Sequence, residues 1–186
     1  MSEIYYDYAD YWRHEGKLSH IDSLSFRLTK EHEAQEDSIR SAVLDHDPKS
    51  ILEIGAGWGR IAKLIRDAGV EAKYLALDLS YDRLKQIKDK SIDKKVGDFM
   101  DFEGVKADLV LAVELLMHIP PDIIEDFVAK MKIYANDTII ILDYDPEQPR
   151  DIELADHNFL HDYDRLFPNA KSYQVNYVQK MRIWSK

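Results

Sequence analysis

The residues of this chain that could do chemistry are carboxylates set at the ends of apolar runs, together with one glycine-spaced turn. Residues 50–60 read S-I-L-E-I-G-A-G-W-G-R, with Gly55, Gly57 and Gly59 at every second position and Glu53 just ahead of them. Such a turn lets backbone pass close under a ligand where a Cβ would collide. The helical pattern behind it aims free N–H groups at the same place. Asp78 closes a second apolar run, where a carboxylate can accept two hydrogen bonds from a ribose diol. Asp98 and Phe99 close a short third strand, pairing an acceptor for an exocyclic amine with a ring that can stack. One acidic strand end is weak evidence. The glycine turn, Asp78 and Asp98 at successive strand ends describe a pocket for an adenosine-type ligand.

The spacing narrows the ligand. A dinucleotide fingerprint, G-x-G-x-x-G, wants glycine where Arg60 stands. No G-K-[ST] follows the turn, so it is not a Walker A loop. Glu53 would repel a pyrophosphate and suits a ligand with a cationic group, an amine or a sulfonium.

The elements that must position these residues alternate strand with helix. Strands are predicted over 51–54, 74–77, 95–97, 109–113 and 138–142. Helices are predicted from Ile61 to a stop at Gly69, over 81–88, and from the Pro120-Pro121 pair through Met131. The runs at 109–113 and 139–142 are apolar without alternation, as in parallel strands buried on both faces. Repeated alternation of this kind means a doubly wound α/β fold, whose ligand lies beyond the carboxyl ends of the strands. A helical piece over 158–166 precedes two strands, 172–178 and 180–184, joined by a tight turn and therefore antiparallel. Helical patterning over 20–46 ends at Pro48. The N-terminal Tyr5, Tyr6, Tyr8, Tyr11 and Trp12 either dock on the core or close over a ligand.

At this point the sequence resembles the class I S-adenosylmethionine-dependent methyltransferases. I-L-E-I-G-A-G-W-G is similar to that family's first motif, L-A-L-D-L-S to its second, and G-D-F to its adenine-contacting motif. A-D-L-V-L-A-V-E-L-L-M-H-I-P resembles its fourth strand and exit loop. The resemblance implies a mostly parallel seven-stranded sheet with an antiparallel last strand, helices on both faces, and a helical N-terminal cap. It makes residues 1–186 a single domain, with the cap over 1–47 and the cofactor-binding core over 48–186. It implies S-adenosyl-L-methionine as cofactor and S-adenosyl-L-homocysteine as product. Glu53, Gly55, Ala56 and Gly57 would face the methionine part, and Asp78 and Leu79 the ribose. Asp98 and Phe99 would face the adenine, Val113 would line the site near the sulfonium, and Tyr11 would close over it.

Methyl transfer to oxygen or nitrogen usually needs a proton removed, so histidine is the first candidate for a base. His118 lies in the exit loop after the fourth strand. A second cluster, H-N-F-L-H-D-Y-D, places His161 and Tyr163 where they can overhang the acceptor. His157 and His161 have helical metal-ligand spacing but lack the glutamate of H-E-x-x-H, so no metal is expected. The expected activity is methyl transfer to an O or N atom of a small molecule. The alternatives are a protein or RNA acceptor, or a catalytically silent cofactor-binding partner subunit.

Bulk properties bound the rest. The 186 residues carry a formal net charge of −10 and no cysteine. That excludes disulfides and thiolate metal sites and disfavours nucleic acid as substrate. No apolar run is long enough for a membrane span and no signal peptide is visible. Cytoplasmic localisation is the expectation, and the sequence leaves the oligomeric state open.

Overall fold

Seven strands form one sheet in the order β3-β2-β1-β4-β5-β7-β6. The computed structural model of the chain describes residues 6–18, 30–147 and 155–186. Tyr5 and the beginning of the helix expected over 20–46 lie outside them. The strands are β1 (Ser50–Ile54), β2 (Lys73–Asp78), β3 (Ile92–Val96), β4 (Ala107–Val113), β5 (Ala135–Tyr144), β6 (Lys171–Gln174) and β7 (Gln179–Ser185). The helices are α1 (Tyr8–Leu18), α2 (Lys30–His46), α3 (Arg60–Asp67), α4 (Tyr81–Leu84), α5 (Ile124–Tyr134) and α6 (Tyr163–Leu166). Strands β1 to β5 are parallel. Strand β7 runs antiparallel to both β5 and β6, so it is the one reversed strand. The expected doubly wound sheet with a reversed last strand is the one observed.

The unalternated apolar runs are explained by two cores, one on each face. Ile51, Leu109, Leu111, Ile140 and Leu142 pack with α2 and α3. Leu52, Ile54, Val110, Ala112, Ile139 and Ile141 pack with α5. Successive side chains on a strand point to opposite faces, so a strand covered on both sides is apolar throughout. Helix α2 is therefore a layer of the core through Ile39, Ala42 and Val43. Among the described residues, no helix is long and apolar enough to cross a membrane.

Among the elements that differ from the expected boundaries, four do so for a clear local reason. Strand β3 begins at Ile92 and ends at Val96 rather than spanning 95–97. It is an edge strand in which only Ile92 is buried, so it has no apolar signature. Helix α4 is one turn, capped by Ser80, whose side chain accepts from the Arg83 N–H. The chain leaves it so that Ile87 can enter the core beneath Gly59. The piece expected over 158–166 is helical only in α6, which Asp162 caps by accepting from the Arg165 N–H. Before it, the Phe159 N–H donates to the Met117 carbonyl at 2.7 Å, which holds that stretch against the exit loop. Strand β6 stops at Gln174 because the Asn176 side chain builds the turn, accepting from Val178 and Gln179 N–H groups at 3.0 and 3.0 Å.

Gly59 is required twice over. Its φ is +86°, and a Cβ there would lie 2.6 Å from Ile87 Cγ1. Gly59→Ala is expected to destabilise the fold by about 1–3 kcal/mol, read as a lowered urea midpoint. An unchanged midpoint would show that Ile87 yields at no cost.

Candidate cofactor and active site

The chain moves from β1 outward to β2 and β3, then returns to β4 on the other side of β1. This reversal opens a crevice at the carboxyl ends of β1 and β4. The glycine turn sits there, with φ values of +73°, +54° and +86° at Gly55, Gly57 and Gly59. The Gly55 and Ala56 N–H groups both donate to the Leu77 carbonyl, at 2.8 and 3.0 Å. The Gly57 N–H donates to Asp78 Oδ2 at 2.7 Å, and the Gly59 N–H to the Ala56 carbonyl at 2.9 Å. These four donors are spent inside the fold, and no residue of α3 lines the pocket. The expectation of free N–H groups facing the ligand is therefore corrected: the turn offers close approach, not donors. That suits a ligand without a phosphate.

The pocket encloses about 640 Å³, counting space open to solvent. Of the residues singled out from sequence, Gly55, Asp78, Leu79, Asp98, Phe99 and His118 line it. Asp78 accepts from Gly57 and Ser80 N–H groups at 2.7 and 2.8 Å, and so binds the turn to the end of β2. Burial raises its pKa, against the pull of these two bonds and of Arg83. Asp98 accepts from the Met100 N–H at 2.8 Å. The Tyr8 hydroxyl donates to its two carboxylate oxygens at 2.8 and 2.7 Å. Phe99 is buried, with its ring 5.0 Å from that of Phe127.

Glu53, Ala56, Gly57, Val113, Tyr11, His161 and Tyr163 do not line this pocket. Glu53 shares the face of Ile51, where its Oε2 accepts from the Tyr74 hydroxyl at 2.8 Å. Burial pushes its pKa up to about 8. Val113 packs against the core on that same face. Tyr11 packs on His157, ring centres 5.0 Å apart. Of the N-terminal rings expected to dock on the core or close over a ligand, Tyr8 and Trp12 are those of α1 that reach the pocket. Their i, i+4 spacing puts both on one helix face. Glu114, directly after β4, and Arg83 also line the pocket and were not singled out.

His118 is held by the loop that leaves β4. Its Nδ1 lies 3.3 Å from the His157 carbonyl. A carbonyl only accepts, so the proton sits on Nδ1 and Nε2 keeps its lone pair. Burial lowers the His118 pKa to about 4, so the ring is neutral at pH 7. Trp12 lies 4.5 Å away, centre to centre. Beneath this loop, the buried Asp143 accepts from the Leu116 N–H at 3.0 Å and from the Met117 N–H. His161 Nε2 is 3.0 Å from both the Leu116 and Ile119 carbonyls and is therefore their donor. Tyr163 is fully buried under the Arg182 guanidinium. His161 and Tyr163 thus pack behind the loop and do not line the pocket. Among the described residues, no group of three or more His, Cys, Asp or Glu side chains could hold a metal ion.

Glu53 and Asp143 give stability a definite pH dependence. Burial pushes both up to about 8. Between the ordinary carboxylate range and about pH 8 the folded chain keeps protons that the unfolded chain has lost. Stability therefore falls as pH rises through that window. Urea titrations at several pH values should show this decline, and Glu53→Gln with Asp143→Asn should flatten it. An equal slope in the double variant would show that neither group carries it.

A sheet of this order, reversed only at β7, with its pocket at the β1/β4 crevice, defines a class I methyltransferase fold. Residues 51–150 match the family described as "Methyltransferase domain", and the chain belongs to that family. Among solved structures it is similar to magnesium protoporphyrin IX methyltransferase from Synechocystis PCC 6803 with bound S-adenosylmethionine. That match has 13% identity, 100% coverage of both chains and a TM-score of 0.74. A DhpI–S-adenosylhomocysteine complex matches at 15% identity, covering 94% of this chain and 93% of that one, with a TM-score of 0.71. Human N-acetylserotonin methyltransferase in complex with S-adenosylmethionine matches at 14% identity, over 88% of this chain and 55% of that one, with a TM-score of 0.66. At these identities the likeness is one of fold. No curated protein matches the sequence.

Proposed function

We propose that this methyltransferase takes S-adenosyl-L-methionine as methyl donor and methylates an O or N atom of a small-molecule acceptor. The observation that carries the reading is the order of groups along the pocket. Asp98, Asp78 and Gly55 stand at the ends of β3, β2 and β1, where an adenine, a ribose and the sulfonium end would follow one another. Asp98 and Phe99 would hold the adenine, and Asp78 and Leu79 the ribose. Gly55 would pass under the methionine part. Glu53, Ala56, Gly57 and Val113 would shape that wall from behind, and Tyr11 would brace α1. When bound, the cofactor supplies a methyl group on a good leaving group. The chain then aligns the acceptor, excludes water with Tyr8 and Trp12, and takes the acceptor's proton on His118 Nε2.

The small-molecule reading rests on the pocket's roof, α1, which meets the rim through Tyr8–Asp98 and through Trp12 against His118. The acidic net charge of −10 supports it too. Calorimetry with S-adenosylhomocysteine and with NAD tests the cofactor, and preference for NAD would end the reading. Methyl transfer into fractionated metabolite pools tests the acceptor. Transfer only to protein or RNA would replace the small molecule. Tight cofactor binding with no transfer to any pool would leave a binding subunit.

A further inference from the structure

Arg83 is the one permanently positive side chain among the described residues that line the pocket. Three carboxylates share that lining, Asp78, Asp98 and Glu114, yet among the described residues none forms an ion pair with its guanidinium. Other cations at this end of the sheet are paired. Arg60 faces Glu114 at 3.2 Å and Glu36 at 3.6 Å, and Lys180 faces Asp145 at 2.9 Å and Glu147 at 3.1 Å.

Arg83 is held at both ends. Its backbone N–H donates to Ser80 Oγ at 3.3 Å in the single turn of α4, and Ser80 is buried. Its guanidinium lies over the Trp12 ring, 5.1 Å from the centre. Contact with a ring face uses no hydrogen-bond acceptor, so the five N–H donors of the fork stay available. Among the described residues none of the five has an acceptor. Trp12 is also the neighbour of His118, at 4.5 Å between ring centres. The charge of Arg83 pulls down the pKa of both Asp78 and His118. The cation is thus within electrostatic reach of the carboxylate read as the ribose's and of the proposed base.

The cofactor does not account for it. Its one carboxylate belongs to the methionine part, which the reading above sets over Gly55 at the end of β1, whereas Arg83 follows β2 and faces Trp12. Resting on that reading, we propose that the acceptor is a small acid: Arg83 holds its carboxylate or phosphate while the O or N atom to be methylated meets His118. A guanidinium fork matches either oxyanion. The cofactor's sulfonium adds a second positive charge to the occupied site, which favours an anionic acceptor and repels a cationic one.

Methyl transfer from labelled S-adenosylmethionine into a low-molecular-weight metabolite extract, split on an anion exchanger at neutral pH, tests this with the unaltered protein. The acceptor should be retained by the exchanger. An acceptor found only in the unretained fraction would overturn the proposal. Phosphatase treatment of the retained fraction should abolish transfer to a phosphate and spare transfer to a carboxylate. With that fraction as substrate, Arg83→Met should raise the apparent KM by roughly ten- to hundredfold, as for a lost hydrogen bond to a charged group. Arg83→Lys should recover part of the loss, and S-adenosylhomocysteine should bind all three proteins alike by calorimetry. An unchanged KM in Arg83→Met would overturn the assignment. So would an equal loss of S-adenosylhomocysteine binding, because the guanidinium would then serve the cofactor or the seat of α1. Transfer into neither fraction would instead strike the small-molecule reading itself.

Discussion

Asp78→Ala should weaken S-adenosylhomocysteine binding by roughly ten- to hundredfold. The ligand's diol loses its acceptor, and the Gly57 and Ser80 N–H groups, at 2.7 and 2.8 Å, lose the carboxylate that holds the turn in place for it. A partly buried group left unpaired costs about 1–3 kcal/mol, and every 1.4 kcal/mol is about tenfold in affinity. Freed of Asp78, the glycine turn is tied to β2 only through the Leu77 carbonyl, so the floor of the pocket loosens as well. Asp78→Asn should fall between, because its amide oxygen can accept from one N–H while its NH₂ group faces the other donor. Burial raises the Asp78 pKa, so binding should weaken on acidification earlier than an exposed aspartate would dictate. Calorimetry across pH on the wild type and both variants measures all of this. An unchanged dissociation constant for Asp78→Ala would remove the residue from the site.

What sequence could show follows from geometry. Strand ends converge, so a residue that closes a strand is placed near the ligand without knowledge of its neighbours. Gly55 and Asp78, which close apolar runs, were legible for that reason; Asp98 and Phe99 close a strand with no apolar signature and were named for what they could contact, and Leu79 by the family resemblance; all five line the pocket. Facing was harder. Glu53 keeps the parity of Ile51, and that parity leads to the α2/α3 side, whereas Ile54 leads to the pocket. The period-two rule held this answer, but the motif's resemblance drew attention to the residue's type instead of its face. Tyr11 and Tyr8 differ in the same way, by helical facing. His161 and Tyr163 were out of reach for another reason. Their loop follows a path set by tertiary bonds, Phe159 to Met117 and His161 to Leu116 and Ile119. No local pattern encodes those partners. Strand β3 lacked a signal because an edge strand with one buried residue has no periodicity to detect.

His118→Gln should lower the rate of methyl transfer by about 10²- to 10⁴-fold, the usual contribution of a general base. The size depends on the acceptor. With its pKa lowered to about 4, His118 is a weak base that is fully unprotonated at neutral pH. A weak base serves an acceptor whose own proton is acidic, or becomes so as the methyl arrives. A phenol or acid hydroxyl, or an amine that turns cationic on attack, meets that condition; an alkanol does not. The acid limb of the wild-type rate should therefore fall only as pH approaches about 4, and His118→Gln should remove that limb along with most of the rate. His161→Ala is the contrast. It strips the donor from the Leu116 and Ile119 carbonyls, so it should lower the melting temperature and leave the shape of the pH profile unaltered. A fully active His118→Gln protein would mean that the acceptor's proton leaves to water. Trp12 and His118 would then serve only as the wall that orients it.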